Sequence, residues 1–580
     1  MRYNFRPNKY HAITSIVMML LLASFVIIVS ESERFEGDKI KFRDRAVPAG
    51  MLDFGEKGKI LKHLGLVYGV RDNRLRPDSV DDWFPGDSLF KRKRKISDYA
   101  YLANPGNVYQ LPSTAIIEAD SFREGWPLIS VVIDQPALTD AEIGIATNPV
   151  QRGKDWERRA TASYFENGKL RFATNVGIRV HGSNHDREIR TNILNNSYRL
   201  YFRNLYGVRE LPPGTVFDGD NGTRRMVIRK ERLFAAELAF DIARRLGAEI
   251  PEYKPAIFYL NGKKMGIRTL SEQLSVPQWE ARIGHENFYF FKYKGTTDAD
   301  SNQAYRKLGR WYRHNRKVMD MKMAGQYIDV RNLTRNLFSF MFCGTNDWYQ
   351  GAAVLDRNDP NARWHWVNWD MDESFRDNWK TSKGELWEQD ALAQVIVGNR
   401  KTGYWRVTYG NLRSELFSRL MNNDPHYREY FLRTVTDVLN HELTPDFFNE
   451  RFAYYDRAIE QYRDPIPGKE LNRYEQVRKF VKYRPEFVRA SMQRRFSQTR
   501  FELGELYTVS LNSPRPDMEF IIDGYPVTGF YTGKYFEGQR IEIKGRSGSA
   551  AHNWMVNGKS IGNDVLDISV ESDLIIEIIP

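Results

Sequence analysis

Apolar positions alternate with polar ones in several short runs between Leu128 and Glu272, and this period of two predicts half-buried strands. The run from Leu128 (LISVVID) reads as a buried strand, and VGIRVHG (Val176–Gly182) and SYRLYFR (Ser197–Arg203) read as alternating ones. Two hairpins are signalled by Asn-Gly pairs, at Asn167-Gly168 in SYFENGKLRF and at Asn261-Gly262 in AIFYLNGKKMGIRTLSE, because both residues tolerate the positive φ of a tight turn. Glu272 ends the second hairpin. Between them the period changes: Phe234, Leu238, Ile242 and Leu246 fall at helical spacing, with two arginines in the last turn and Gly247 as a stop. From Glu385 to about Phe501 the pattern is mostly helical, as in LFSRLMNN and HYREYFLRTVTDVLNHEL. From Leu506 to Pro580 it returns to short alternating runs, such as YTVSL, RIEIKG and LIIEII, which predict a small β-sandwich-like domain.

The N-terminal part has another texture. Ile13–Ser30 is a nearly unbroken apolar run without a charge, behind a leader carrying Arg2, Arg6 and Lys9. Its length is close to the roughly 20 residues that span a bilayer and exceeds a usual signal-peptide core. An uncleaved single-pass anchor is the favoured reading, and small residues at Ala23 and Ser30 offer cleavage sites. The basic leader and the acidic neighbours Glu31 and Glu33 place the body outside the cytoplasm, although Arg34, Lys39, Lys41, Arg43 and Arg45 blunt the charge contrast across the span. Residues 31–127 are punctuated by Gly, Pro and Asp and read as a linker-like juxtamembrane region, with a short helix at Gly58–Leu66. The expected divisions are therefore 1–30, 31–127, 128–504 and 505–580.

Composition narrows the class. The chain has 580 residues, 41% hydrophobic and 28% charged, with a mean hydropathy of −0.58, which excludes a polytopic membrane protein and a wholly disordered one. Cys343 is the only cysteine, so there is no intramolecular disulfide and no cysteine-based zinc site. A net charge of +12 suits an anionic partner without choosing one. The basic run Lys91–Lys95 carries no interleaved aromatics and no nucleic-acid module accompanies it, so nucleic acid is rejected as the partner.

The chemistry concentrates in Asn346–Phe375. Asp347 is expected on a loop after the helix NLTRNLFSFMFCG; a hairpin of AAVLD and WHWVNW follows; Asp370 and Asp372 come next. If the second strand persists through Met371, the two late acids project from one face about 7 Å apart. Paired carboxylates suit magnesium or manganese on phosphates. A loop acid, a hairpin and a metal-binding acid is also the order in which protein kinases place their catalytic-loop and magnesium aspartates. The other reading of Asp370 and Asp372 is as strand caps, with Trp364, Trp366 and Trp369 as core. No nucleophile elbow surrounds His181, His185 and His365 lack metal-ligand spacing, and no P-loop is present.

Across Leu128–Phe501 the chain resembles the CotH-type kinases, the spore-coat-protein-H family of atypical protein kinases. The resemblance rests on VGIRVHGS with SYRLYFRNLYG, the helix ending at Gly247, FYLNGKKMGIRTLSEQ, and the Asn346-Asp347 pair with WVNWDMDESF. It implies an α+β fold: an atypical kinase-like domain with a β-rich first lobe and a helical second part, followed by the all-β C-terminal domain. It implies ATP with Mg²⁺ or Mn²⁺, Asp347 as catalytic acid, Asp370 as metal ligand with Asp372 as a second contact, and Glu272, Arg199 and Asn346 on the nucleotide. The substrate would be a hydroxyl on a protein or envelope component. Two departures stand out: Asn195 and Asn196 where relatives carry paired lysines, and Ala352 and Ala353 where they often carry a metal-completing asparagine. A catalytically inactive scaffold for envelope or surface assembly is the alternative that these departures favour.

Overall fold

A computed structural model describes residues 99–100, 117–118, 126–133, 135–182, 196–292, 298–345, 347, 349–376, 384–407, 411–462, 464–546, 553–562 and 564–579. The apolar run Ile13–Ser30, the helix expected at Gly58–Leu66, Lys91–Lys95, His185, Asn195 and Asn346 lie outside the described residues. Among the described residues no helix is long and apolar enough to cross a membrane. The content is mixed, 35% helical and 31% strand, an α+β composition. The chain divides into two compact units, the first holding the described residues up to Lys230 together with Ala256–Gln273, the second Glu231–Pro255 and everything from Leu274.

The first unit is built on a closed seven-stranded barrel: β1 (Leu128–Ile133), β2 (Arg158–Glu166), β3 (Lys169–His181), β4 (Ser197–Tyr201), β5 (Arg225–Arg229), β6 (Tyr253–Leu260) and β7 (Lys263–Glu272), in the order β1-β2-β3-β4-β5-β7-β6. Alternation along each strand fills the interior, with Ile178, Val180, Tyr198, Leu200, Met226, Ile228, Phe258 and Leu270 in one apolar core. Closure is made by a parallel pairing of β6 with β1. The Asn261 side chain locks it, accepting from the Ile133 N–H at 2.8 Å and donating to the Ile133 carbonyl at 2.9 Å. Asn261 (φ 47°) and Gly262 (φ 79°) form the turn predicted there, as Asn167 (φ 51°) and Gly168 (φ 66°) do between β2 and β3.

The second unit begins with α1 (Ala235–Arg245), the helix predicted before Gly247, and α2 (Val276–Ile283). A three-stranded antiparallel sheet follows, β8 (Phe288–Lys292), β9 (Ala352–Asp356) and β10 (His365–Val367), with α3 (Ala299–Asn315) and α4 (Val330–Cys343) between its first two strands. The stretch after Glu385, mostly helical as expected, opens with a hairpin of β11 (Ile396–Asn399) and β12 (Tyr404–Val407). Its β-branched start and its turn explain this opening: Gly403 sits at φ 65° and Asn399 accepts the Thr402 and Gly403 N–H groups. Then come α5 (Leu412–Asn423), α6 (Pro425–Asp437), α7 (Pro445–Tyr462) and α8 (Gly468–Phe496). The last strands, β13 (Leu506–Asn512) to β21 (Leu574–Ile579), lie in one five-stranded and one four-stranded sheet. Their shared core includes Val509, Leu511, Phe520, Ile541, Trp554 and Ile576.

Candidate active site

The acids of the second unit are held by α4. The helix starts at Asp329, whose carboxylate accepts the Asn332 N–H at 2.8 Å, and stops at Gly344 in the left-handed conformation. Leu333, Leu337, Phe340 and Met341 are buried apolar residues, but Asn332, Asn336 and Ser339 form a polar stripe at i, i+4 and i+7. Asn332 accepts from the Trp366 N–H at 2.7 Å and donates to its carbonyl at 3.1 Å, standing in for a neighbouring strand. Asn336 donates to the same carbonyl at 3.1 Å and to Asn368 Oδ1 at 2.5 Å, and Asn368 donates to Ser339 Oγ at 3.1 Å. With the Asn368 N–H given to the Glu249 carbonyl at 2.8 Å, the chain leaving β10 is fixed atom by atom.

Asp347 lies on the loop after α4, where the helix signal places it. Its half-buried carboxylate accepts from the Tyr349 hydroxyl at 3.1 Å and from Gln350 Nε2 at 2.8 Å. The loop closes against β10 at Gly351, with φ 124°; a Cβ there would stand 2.5 Å from the Val367 carbonyl oxygen. Arg413 of α5, buried, donates to Asn336 Oδ1 at 2.7 Å and reaches the Gln350 carbonyl at 3.4 Å, joining the loop to the polar stripe. Burial pushes its pKa down to about 10.

Beyond β10 the expected geometry changes. The strand ends at Val367, because Asn368 is already taken by α4 and Glu249, and Asp370 adopts the left-handed conformation (φ 58°, ψ 46°) ahead of a 3₁₀ turn at Met371–Glu373. Asp370 and Asp372 therefore do not share one face of a strand; in a turn of three residues, positions two apart point to different sides. Phe375, also left-handed at φ 54°, donates its N–H to the Cys343 carbonyl at 2.9 Å, so this segment returns to the end of α4 from which the Asp347 loop departs. Arg232, just before α1, clamps the turn by donating to the Asp372 carbonyl at 2.7 Å, the Phe375 carbonyl at 3.1 Å and the Ser374 carbonyl. Burial, aided by repulsion from Arg376, pushes its pKa down to about 10. Arg484 of α8, fully buried, donates to the last-turn carbonyls of α4 at Met341 (2.6 Å) and Phe342 (2.9 Å), supplying partners that a helix C-terminus lacks.

The other candidates are placed as follows. Arg199 lies in β4 opposite Arg179 and Val227, on the barrel's outer face, with its guanidinium donating to His181 Nδ1 at 2.6 Å. Glu272 is buried at the end of β7 opposite Met226, and alternation from Leu270 puts it on the inner face. The barrel wall thus separates these two side chains, while the segments that carry Asp347 and Asp370 are both fastened to the end of α4. Ala352 and Ala353 are buried in the ladder opposite Val367 and Trp366, and Asn196 is buried too. His365 is structural: burial pulls its pKa down, but Glu249 at 3.2 Å more than offsets this and holds it above the ordinary histidine value. Cys343 is buried and its thiol is pushed up by burial. The sequence reading passed over Asn332, Asn336, Arg413, Arg232 and Arg484. The two asparagines carried a signal, being polar at helical spacing on an apolar helix; the arginines carried none.

The family model described as CotH kinase protein matches residues 179–490, more than half of the chain. The chain belongs to the CotH kinase family. A comparison with curated proteins gives no match. The CotH match runs from the end of β3 into α8, and so takes in Arg199, Glu272, Asp347, Asp370 and Asp372, while β13–β21 lie beyond it.

Proposed function

We propose that this CotH kinase family member is a phosphotransferase that moves the γ-phosphoryl group of ATP to a hydroxyl on a protein or envelope component. The observation that carries the reading is the fastening of two acidic segments, at Asp347 and Asp370–Asp372, to the same end of α4 with a hairpin between them. In the proposed step the substrate hydroxyl oxygen bonds to the γ-phosphorus as the bond to the ADP oxygen breaks, and Asp347 accepts the hydroxyl proton. The Asp370 carboxylate is assigned to Mg²⁺ or Mn²⁺ as a hard oxygen donor that leaves room for phosphate oxygens and water, and Asp372, on another side of the turn, is not assigned to the same ion. When bound, the ion would neutralise charge on those oxygens. Asn346 is assigned to the nucleotide, and the N-terminal run to a single-pass anchor with the body extracytoplasmic; Arg199 and Glu272, on opposite faces of the barrel wall, are not assigned to one ligand.

The second reading, an inactive scaffold, is favoured by one observation: the positions that depart from the family pattern, Asn196, Ala352 and Ala353, are buried and uncharged. Transfer of labelled phosphate, measured beside ATP-dependent thermal stabilisation with Mg²⁺ or Mn²⁺, separates the two. Asp347→Asn should lower transfer by about 10²–10⁴-fold and keep the stabilisation, whereas Asp370→Asn should lose both. A wild-type chain that neither transfers phosphate nor gains stability from nucleotide would establish the scaffold reading.

A further inference from the structure

A second concave site stands apart from these acids, walled by the end of α3, the β11–β12 hairpin and α5. It is a cavity of about 580 Å³, in the range that binds small ligands and side-chain groups. Arg316, Lys317, Arg406 and Arg419 line it, against one acid among the described residues, Glu415. None of these four cations is ion-paired with a carboxylate among the described residues. Like charges around a concave wall raise the local potential and favour an anion.

Hydrogen bonds of the fold tie down the floor of the cavity. Asn422 accepts the Trp405 N–H at 2.7 Å and donates to the Trp405 carbonyl at 2.9 Å, and Ser418 donates to that carbonyl at 3.1 Å. Strand alternation in β12 then turns Trp405 inward and leaves Tyr404 and Arg406 exposed. Asn423 fixes the rim by donating to the Arg316 carbonyl at 3.0 Å. Trp405, which lines the cavity, keeps its indole N–H buried with no acceptor among the described residues. Tyr404, 41% exposed, is backed by the Arg500 guanidinium 4.4 Å from its ring.

We propose that this cavity docks a phosphorylated side chain with the polypeptide that flanks it. A phosphoryl group brings nearly two negative charges and three acceptor oxygens, which matches an excess of guanidinium and ammonium donors better than one carboxylate does. A hollow is the wrong shape for a flat bilayer, and its volume together with the exposed Tyr404 ring leaves room for chain beside the phosphate. The docking does not depend on the chain's own catalysis.

The test uses the full chain and a fluorescent peptide carrying one phosphoserine among uncharged residues. Binding is read by anisotropy, beside the same peptide unphosphorylated, inorganic phosphate as competitor, and phosphatidylserine vesicles. The phosphopeptide should bind at least tenfold more tightly than its unphosphorylated twin, and inorganic phosphate should compete. Arg406→Glu with Arg419→Glu, and Lys317→Glu separately, should each weaken binding at least tenfold with an unchanged melting temperature, while Asp347→Asn should bind like wild type. Equal affinity for both peptides would overturn the proposal. So would undiminished binding by either folded variant, or capture by vesicles without capture of the peptide.

Discussion

In the barrel, the wall is held mainly by apolar volume: Tyr198, Leu200, Met226, Ile228 and Phe258 fill the interior. Between α4 and β10 the contact is polar instead, and Asn332, Asn336, Asn368 and Ser339 fix the strand end through paired hydrogen bonds. Apolar packing is non-directional and tolerates small shifts, whereas a buried amide network fixes position and is costly when one member is lost. The acids proposed for chemistry hang from the second kind of support. The lesson is that fold stability and site geometry are carried by different physics in the two units.

The contrast breaks first at the barrel. Phe258→Ala removes a fully buried ring packed 5.8 Å from Tyr198. It should lower unfolding stability by about 3–5 kcal/mol, measured by denaturant titration. Phosphate transfer per folded molecule should stay within about twofold of wild type, since nothing at α4 is touched. A large loss of transfer at full folding would mean that the barrel core sets the site geometry after all.

Arg413→Gln is the reciprocal change. It leaves Asn336 Oδ1 and the Gln350 carbonyl without their guanidinium donor inside a buried network. The expected loss is about 2–3 kcal/mol of stability, less than at Phe258, yet transfer per folded molecule should fall about tenfold or more because the Asp347 loop loses its tie to the polar stripe. Unchanged transfer with lowered stability would show that Arg413 supports the fold alone.

These two supports also differ in how legible they are from sequence. Alternation and the Asn-Gly pairs predict the barrel strands, because a period of two and a positive-φ turn are local requirements. The order loop acid, hairpin, late acid is equally visible, and so is the helix before it. What fails is the assumption that β10 runs through Met371: its end is set by Asn336 and Glu249, residues distant along the chain. Arg413, Arg232 and Arg484 escape for the same reason, since their partners, backbone carbonyls and for Arg413 also Asn336 Oδ1, are brought near only by the folded topology. The hairpin at Ile396–Val407 was masked by the helices on its C-terminal side.

A third junction sharpens the comparison by using charge. Asp437, at the end of α6, is mostly buried and sits 3.0 Å from Arg433 Nε, which also pairs with Asp523 from the terminal sheets. Burial raises the Asp437 pKa to about 7; Arg433 opposes the rise, while the Asp523 and Glu442 carboxylates add to it. An unfolded aspartate titrates near ~3.9, so the folded state holds the extra proton between these values. The stability that this proton brings is fully present below about pH 4 and is lost as the pH rises through about 7. Asp437→Asn carries no such proton, so its melting temperature should match wild type near pH 4 and exceed it at pH 8. Melting curves of both proteins from pH 4 to 8 provide the check. A variant less stable than wild type at pH 8 would show that the Arg433 ion pair outweighs the burial of Asp437, placing this junction with the polar network of α4 rather than with the apolar barrel.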